Sequence, residues 1–193
     1  MKLKLVITLF TVFFGTTLIA QNLDSIKTEL ERDYNASLSL RQKVMPTINK
    51  YGYKSKQMDS LNSLILNFDS LALGRTINII EKYGWLGKSK IGHIGNQTLF
   101  LNIQHANDKN VREKYYPMLE KSAKTGESNL SDMATMKDRI LVENGQQQIY
   151  GTQRDIEGKY FPINDIKGLN KRRRQVGLEK LKVNDGDLRQ AQI

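Results

Sequence analysis

The sequence predicts a mostly α-helical protein: a single compact helical domain of about five or six helices, with a small C-terminal β-hairpin. Three observations carry this reading. Apolar residues recur at spacings of three and four along most of the chain, the period of a helix with one buried face. Glycine, proline and capping residues fall between those runs. Only the stretch from Gln148 to Ile163 alternates polar and apolar residues about a turn at Gly158, as a hairpin does. A chain of 193 residues suits one domain and buries enough surface to fold without a staple.

Composition narrows the chemistry. There is no cysteine, which excludes disulfides, thiolate metal sites, a cysteine nucleophile and lipid attachment at an N-terminal cysteine. His93 and His105 are the only histidines, too few for a multi-histidine zinc site, although a histidine–carboxylate site stays open. No metal and no cofactor is expected. The net charge is +10. That permits contact with nucleic acid, lipopolysaccharide or phospholipid headgroups, but a solvated basic surface with no dedicated anion site is the stronger reading.

Met1 to Ala20 reads as a signal peptide. Lys2 and Lys4 form the charged start, Leu5 to Ala20 the apolar stretch, and Ala20 a small residue suited to cleavage. Leu18 is large for the position three before the cut, so an uncleaved anchor is the alternative and the one route to a membrane. Export without cysteine fits a bacterial periplasmic or secreted protein. Residues 21–68 form an N-terminal helical region. Leu23, Ile26, Leu30 and Tyr34 make one apolar stripe, and Pro46 breaks the helix beyond it. From Gln57 to Tyr83 a second helix carries Met58, Leu61, Leu64, Ile65 and Phe68. Asp69 is placed to cap a second segment of it, and Gly84 to end it.

The core domain is expected over residues 69–183. Trp85 to Gln97 reads as a glycine-punctuated loop able to approach a ligand closely. Its spacing matches no phosphate-binding fingerprint. Asn96 to Ala106 is a short helix ending in the polar pair Gln104 and His105, which need hydrogen-bond partners if buried. His105 is either a satisfied helix-end histidine or a general base. Asn110 to Glu113 resembles a capping box, Pro117 marks a kink or the true start of the next helix, and Gly126 ends it. Ser128 can cap the helix of Leu130, Met133, Met136, Ile140 and Leu141. On that helix Asp138 has apolar neighbours at i−4, i+3 and i+4, which points to burial. Arg139 lies about 100° around the axis from it, so the two pair elsewhere.

Tyr150, Thr152 and Gln153 bring three hydrogen-bonding tips together in the hairpin. Beside Asp138 and His105 they would give a pocket its specificity; otherwise they belong to a hairpin that covers the helical core. The basic run Lys171 to Arg174 has no interleaved aromatic residues for base stacking. It reads as the solvated start of the last helix, and a nucleic-acid partner is not expected. Residues 184–193 read as a flexible tail.

Five short motifs carry a resemblance: Tyr83-Gly84-Trp85, Gln104-His105-Ala106-Asn107, Asp138-Arg139-Ile140-Leu141, Tyr150-Gly151-Thr152-Gln153, and Arg173 with Val176-Gly177-Leu178. In order and spacing, over about Asp69 to Leu181, the chain resembles the bacterial domain of unknown function 6624 family. The resemblance implies a mostly helical domain and brings no established activity. Leu86 stands where the family has proline. Asn107 stands where it has aspartate, so a carboxylate partner for His105 would have to come from Asp108 or Asp138.

Two functions are expected. One is an exported binding domain whose polar pocket is lined by Trp85, Gln104, Arg139, Thr152 and Gln153, with an unknown small molecule or cell-envelope component as partner. The other is a metal-independent hydrolase or lyase. There His105 would be the acid/base, Asp138 its orienter, Arg139 an anion clamp and Tyr150 a proton donor. No GxSxG nucleophile motif is present.

Overall fold

The periodic runs are helices. The computed structural model describes residues 2–155, 157–182, 184 and 187, with side chains from residue 21 onward. In chain order the elements are α1 (Lys2–Arg41), α2 (Val44–Tyr51), α3 (Lys56–Tyr83), α4 (Lys88–Gln104), α5 (Lys109–Lys124), α6 (Leu130–Glu143), a 3-10 turn (Ile166–Gly168) and α7 (Leu169–Gln175). The side chains of the expected leader, and most of the expected tail, lie outside the described residues. Among the described residues no helix is long and apolar enough to cross a membrane.

The centre of the fold is α4, which packs against α1, α3, α5 and α6. Its buried Leu99, Phe100 and Ile103 meet Ile26 and Leu30 of α1, Ile80 of α3, Leu119 of α5 and Met136 of α6 in one apolar cluster. Polar ties fix the register of the long helices. Asp33, almost fully buried, accepts from Arg75 Nε and Nη2 at 3.0 and 2.8 Å, joining α1 to α3. Asn102 donates to Thr76 Oγ1 at 2.9 Å between α4 and α3. The expected α1 stripe holds at Ile26 and Leu30. The expected α3 stripe is buried at Met58 and Leu61 but turns outward at Leu64.

Several boundaries differ from expectation. The glycine-rich stretch is not one loop: α4 begins at Lys88 and is broken only at Gly92, where φ is 72° and ψ 173°. Helix α3 runs through Asp69 without interruption. Asp108, not Asn110, caps α5, accepting from the Asn110 N–H at 2.9 Å. Pro117 lies inside α5.

The C-terminal β-hairpin does not form. Among the described residues there is no strand, only isolated bridges between Gln148 and Ile163 and between Arg154 and Tyr160. The reason is local. The buried Gln148 amide donates to the carbonyls of Gln153 and Phe161 at 3.0 and 2.8 Å and accepts from the Gln153 N–H at 2.8 Å. These bonds close residues 148–153 into a loop and use backbone groups that a ladder would need.

Candidate functional site

The residues marked out by the sequence fall into three places. The first is a cleft of about 580 Å³. Its walls are the segment between α3 and α4 and the end of α5 with the turn beyond it. Gly84 ends α3 at φ 76°, a conformation glycine adopts without strain, and releases the chain into Trp85. The Trp85 indole N–H donates to Ser128 Oγ at 3.1 Å, and Ser128 in turn shares a hydrogen bond with Ser122 at 2.8 Å. The Leu86 carbonyl accepts from the buried Asn96 amide at 2.8 Å. Glu127 completes the join. Its carbonyl accepts from the Lys88 N–H at 2.9 Å, and its carboxylate accepts from the Ser89 N–H and hydroxyl at 3.0 and 2.9 Å.

Those bonds hold the Glu127 carboxylate on the first turn of α4, where the helix dipole favours a negative charge. The Ser89 bonds, with Lys88 and Lys90 nearby, lower its pKa from the ordinary glutamate value. Gly87 makes the approach feasible: a Cβ there would lie 2.7 Å from the Glu127 Cβ. The cleft is therefore held in shape by bonds internal to the protein. Trp85, Tyr83 and Met118 supply apolar wall, and Lys90 and Lys121 supply positive charge.

The second place is the end of α4. Gln104 is its last residue and His105 its C-cap. His105 Nδ1 lies 3.1 Å from Arg41 Nη2, which also lies 2.8 and 3.0 Å from the two Asp69 oxygens. A guanidinium only donates, so Nδ1 accepts and the neutral ring carries its proton on Nε2. Burial first, and then the charge of Arg41, push the His105 pKa down to about 4. Arg139 and Arg112 contribute smaller parts of that fall, and Asp69 opposes it. Arg139 donates from Nε to Glu143 at 3.2 Å. Fully buried Arg112 holds the same carboxylate at 2.8 and 2.6 Å and bonds to the Ala106 carbonyl. The buried side-chain oxygen of Gln104 meets no hydrogen-bond partner among the described residues.

The third place is the loop after α6. Asp138 is fully buried. Its carboxylate accepts the N–H groups of Ile149, Tyr150 and Thr152 and the Thr152 hydroxyl, at 2.7–3.1 Å. From the other side Arg172 and Arg173 donate to the carbonyls of Ile149 and Tyr150 at 2.9 and 2.6 Å. Gln153 donates to the Thr135 carbonyl at 3.3 Å and to Thr152 Oγ1 at 3.0 Å. Tyr150 is half-buried, and its pKa is raised by burial and then by the Asp138 charge.

The structure thus brings Asp138, Tyr150, Thr152 and Gln153 together, and sets His105 with Arg139. It places Trp85 in the cleft. His105 and Asp138 share no hydrogen bond: the ring is held by Arg41, and the Asp138 carboxylate is bonded to residues 149–152. Asn107 is exposed, and Asp108 is engaged as the α5 cap. Sequence reasoning did not single out Arg41, Asp69, Ser128, Glu127 or Lys121 as site residues. No local pattern marks them: Arg41 meets Asp69 and His105, Glu127 meets Ser89 and Ser128 meets Trp85 across 28 to 64 residues of chain. Among the described residues, no group of three or more histidine, aspartate or glutamate side chains could hold a metal ion.

Fold and site define a helical domain that carries a preformed cleft and a separate polar cluster at the C-terminal end of α4. Residues 26–189 match the model of the family of unknown function DUF6624, and the chain belongs to that family. No curated protein and no solved structure matches it.

Proposed function

We propose that the protein is an exported bacterial binding domain whose ligand enters the cleft beside Trp85. One observation carries the reading: the indole that forms the wall is pinned by Ser128, so the cleft is held open by bonds internal to the protein. Preorganisation of this kind lowers the ordering cost of binding. A flat apolar surface next to Lys90 and Lys121 suits a small ligand with an aromatic body and an acidic group. The export reading rests on the charged and apolar residues of the first twenty positions.

The acid/base reading of His105 draws less support. A general base needs an orienting partner that stabilises its cation, and here Nδ1 faces a guanidinium. The test of the binding reading is a melting-temperature screen with aromatic carboxylates and sulfonates against aromatic amines of matching shape. The acids raise the melting temperature of the wild type, and Lys121→Glu removes that rise without changing the unliganded value. Equal or absent shifts for acids and amines would reject it.

A further inference from the structure

Helix α3 turns one face to solvent that the described residues leave uncovered. Leu64, Leu66 and Leu71 stand on it at 58, 52 and 64% exposure. Between Lys56 and Glu81, exposed residues recur every three or four positions as Ser60, Ser63, Asn67, Ser70, Gly74 and Asn78, one line along a helix. None of them is charged, although charged residues make up 26% of the chain. The face can also lose water at little cost. Ser60 and Ser63 donate their hydroxyls to the Lys56 and Asp59 carbonyls of their own helix, at 2.9 and 3.0 Å, so burial strands neither donor. Gly74 is the odd residue. A glycine inside a helix weakens it relative to alanine, yet a Cβ at Gly74 would meet nothing within 4 Å. No described residue requires the missing side chain; close approach of a second helix would account for it.

We propose that this face pairs with the same face of a second copy of the chain, antiparallel about a two-fold axis beside Asn67, in a weak symmetric dimer. One self-complementary patch closes a dimer in this way. The alignment sets Leu64 of each copy beside Leu71 of the other. Counted outward from that pair, Lys56 falls opposite Ile79, two residues short of Glu81, or about 3 Å along the axis. At both ends of the seam an exposed lysine therefore meets an exposed carboxylate. Glu81 uses Oε1 for Lys114 and Tyr115, which leaves Oε2 for Lys56. The charge match selects the direction: each copy carries +10, and parallel pairing would set Lys56 against Lys56 and Glu81 against Glu81. Gly74 lets the helix axes close, and the leucines cover the flank. A seam of about 40 Å by 10 Å hides roughly 400 Å² on each copy. That is about half of what a stable interface takes, ~800 Å² per partner, so the dimer is reversible and forms at micromolar concentrations or above.

The experiment is sedimentation equilibrium of the full chain over micromolar to submillimolar concentrations, with Leu71→Lys and Gly74→Gln measured beside it. The wild type shows a reversible monomer–dimer equilibrium, and each variant weakens it about tenfold or more. Both positions are exposed, so the monomers stay folded, and Gly74→Gln melts above the wild type because glutamine favours a helix. The chain has no cysteine, so single cysteines test the direction. Under mild oxidation Asn67→Cys, beside the axis, links two copies, whereas Asn78→Cys, about 30 Å from its counterpart in an antiparallel pair, does not. A monomer at every concentration overturns the proposal and leaves the face to a partner of another kind. A dimer that both variants leave unchanged, or equal linking at the two cysteines, overturns it as well.

Discussion

Asp138 holds Thr152 twice. Its Oδ2 accepts both the Thr152 N–H at 3.0 Å and the Thr152 hydroxyl at 2.9 Å. With the N–H groups of Ile149 and Tyr150 on the same carboxylate, a buried charge replaces secondary structure as the organiser of residues 149–152. Asp138→Asn puts an amide N–H against this ring of donors. It should cost about 3 kcal/mol or more, the scale of an unsatisfied buried group beside a lost charged hydrogen bond. Thr152→Val removes one donor and should cost about 1–2 kcal/mol. Urea unfolding checks both. Similar small losses would mean that the carboxylate does not organise the loop.

Gly87 and Glu127 are coupled by close approach. Gly87→Ala places a Cβ 2.7 Å from the Glu127 Cβ, so the turn must move. A loss of about 1–3 kcal/mol is expected, the usual cost of overpacking. Glu127→Gly removes the obstructing Cβ along with the carboxylate on the first turn of α4. The double variant should therefore be more stable than the sum of the single losses predicts. Strict additivity in thermal or urea unfolding would contradict this coupling.

His105 makes stability depend on pH. Its pKa in the fold is about 4, against 6.5 in the unfolded chain. Between those values the unfolded chain binds more protons, so the contribution is complete above pH 6.5 and is lost as pH falls toward 4. At 1.36 kcal/mol per unit the loss is at most about 3 kcal/mol. His105→Gln keeps an acceptor for Arg41 but does not titrate. Its stability should fall less than that of the wild type across this window, while the two run parallel above pH 7. Parallel curves at all pH values would show that the ring titrates normally.

Helix periodicity exposed much of the fold. The stripe of α6 placed Asp138 among apolar neighbours, and the residue is fully buried. Its 100° offset from Arg139 sends the two residues to different partners, Asp138 to the 149–152 loop and Arg139 to Glu143. The hairpin is absent because alternation of side chains does not by itself decide which groups satisfy the backbone. The side chains of Gln148 and Asp138 take that role. The His105 environment was out of reach for another reason. Its ring partner Arg41 lies 64 residues earlier, on a helix that only the tertiary fold brings alongside α4. The cleft had one sequence signal, the Trp85 segment between glycines, but its other wall comes from the turn after α5.

Trp85 is the only tryptophan in the chain, so its fluorescence reports on the cleft directly. The decisive measurement is a titration of that emission with 2-naphthalenesulfonate, an aromatic anion, in the wild type and in Lys121→Glu. A saturable change in the wild type, weakened several-fold in the variant while both melt at the same temperature, is the predicted result. A linear, unsaturable quench of equal slope in both proteins would mean that the indole merely meets solute from solvent, and would contradict a ligand site at this cleft.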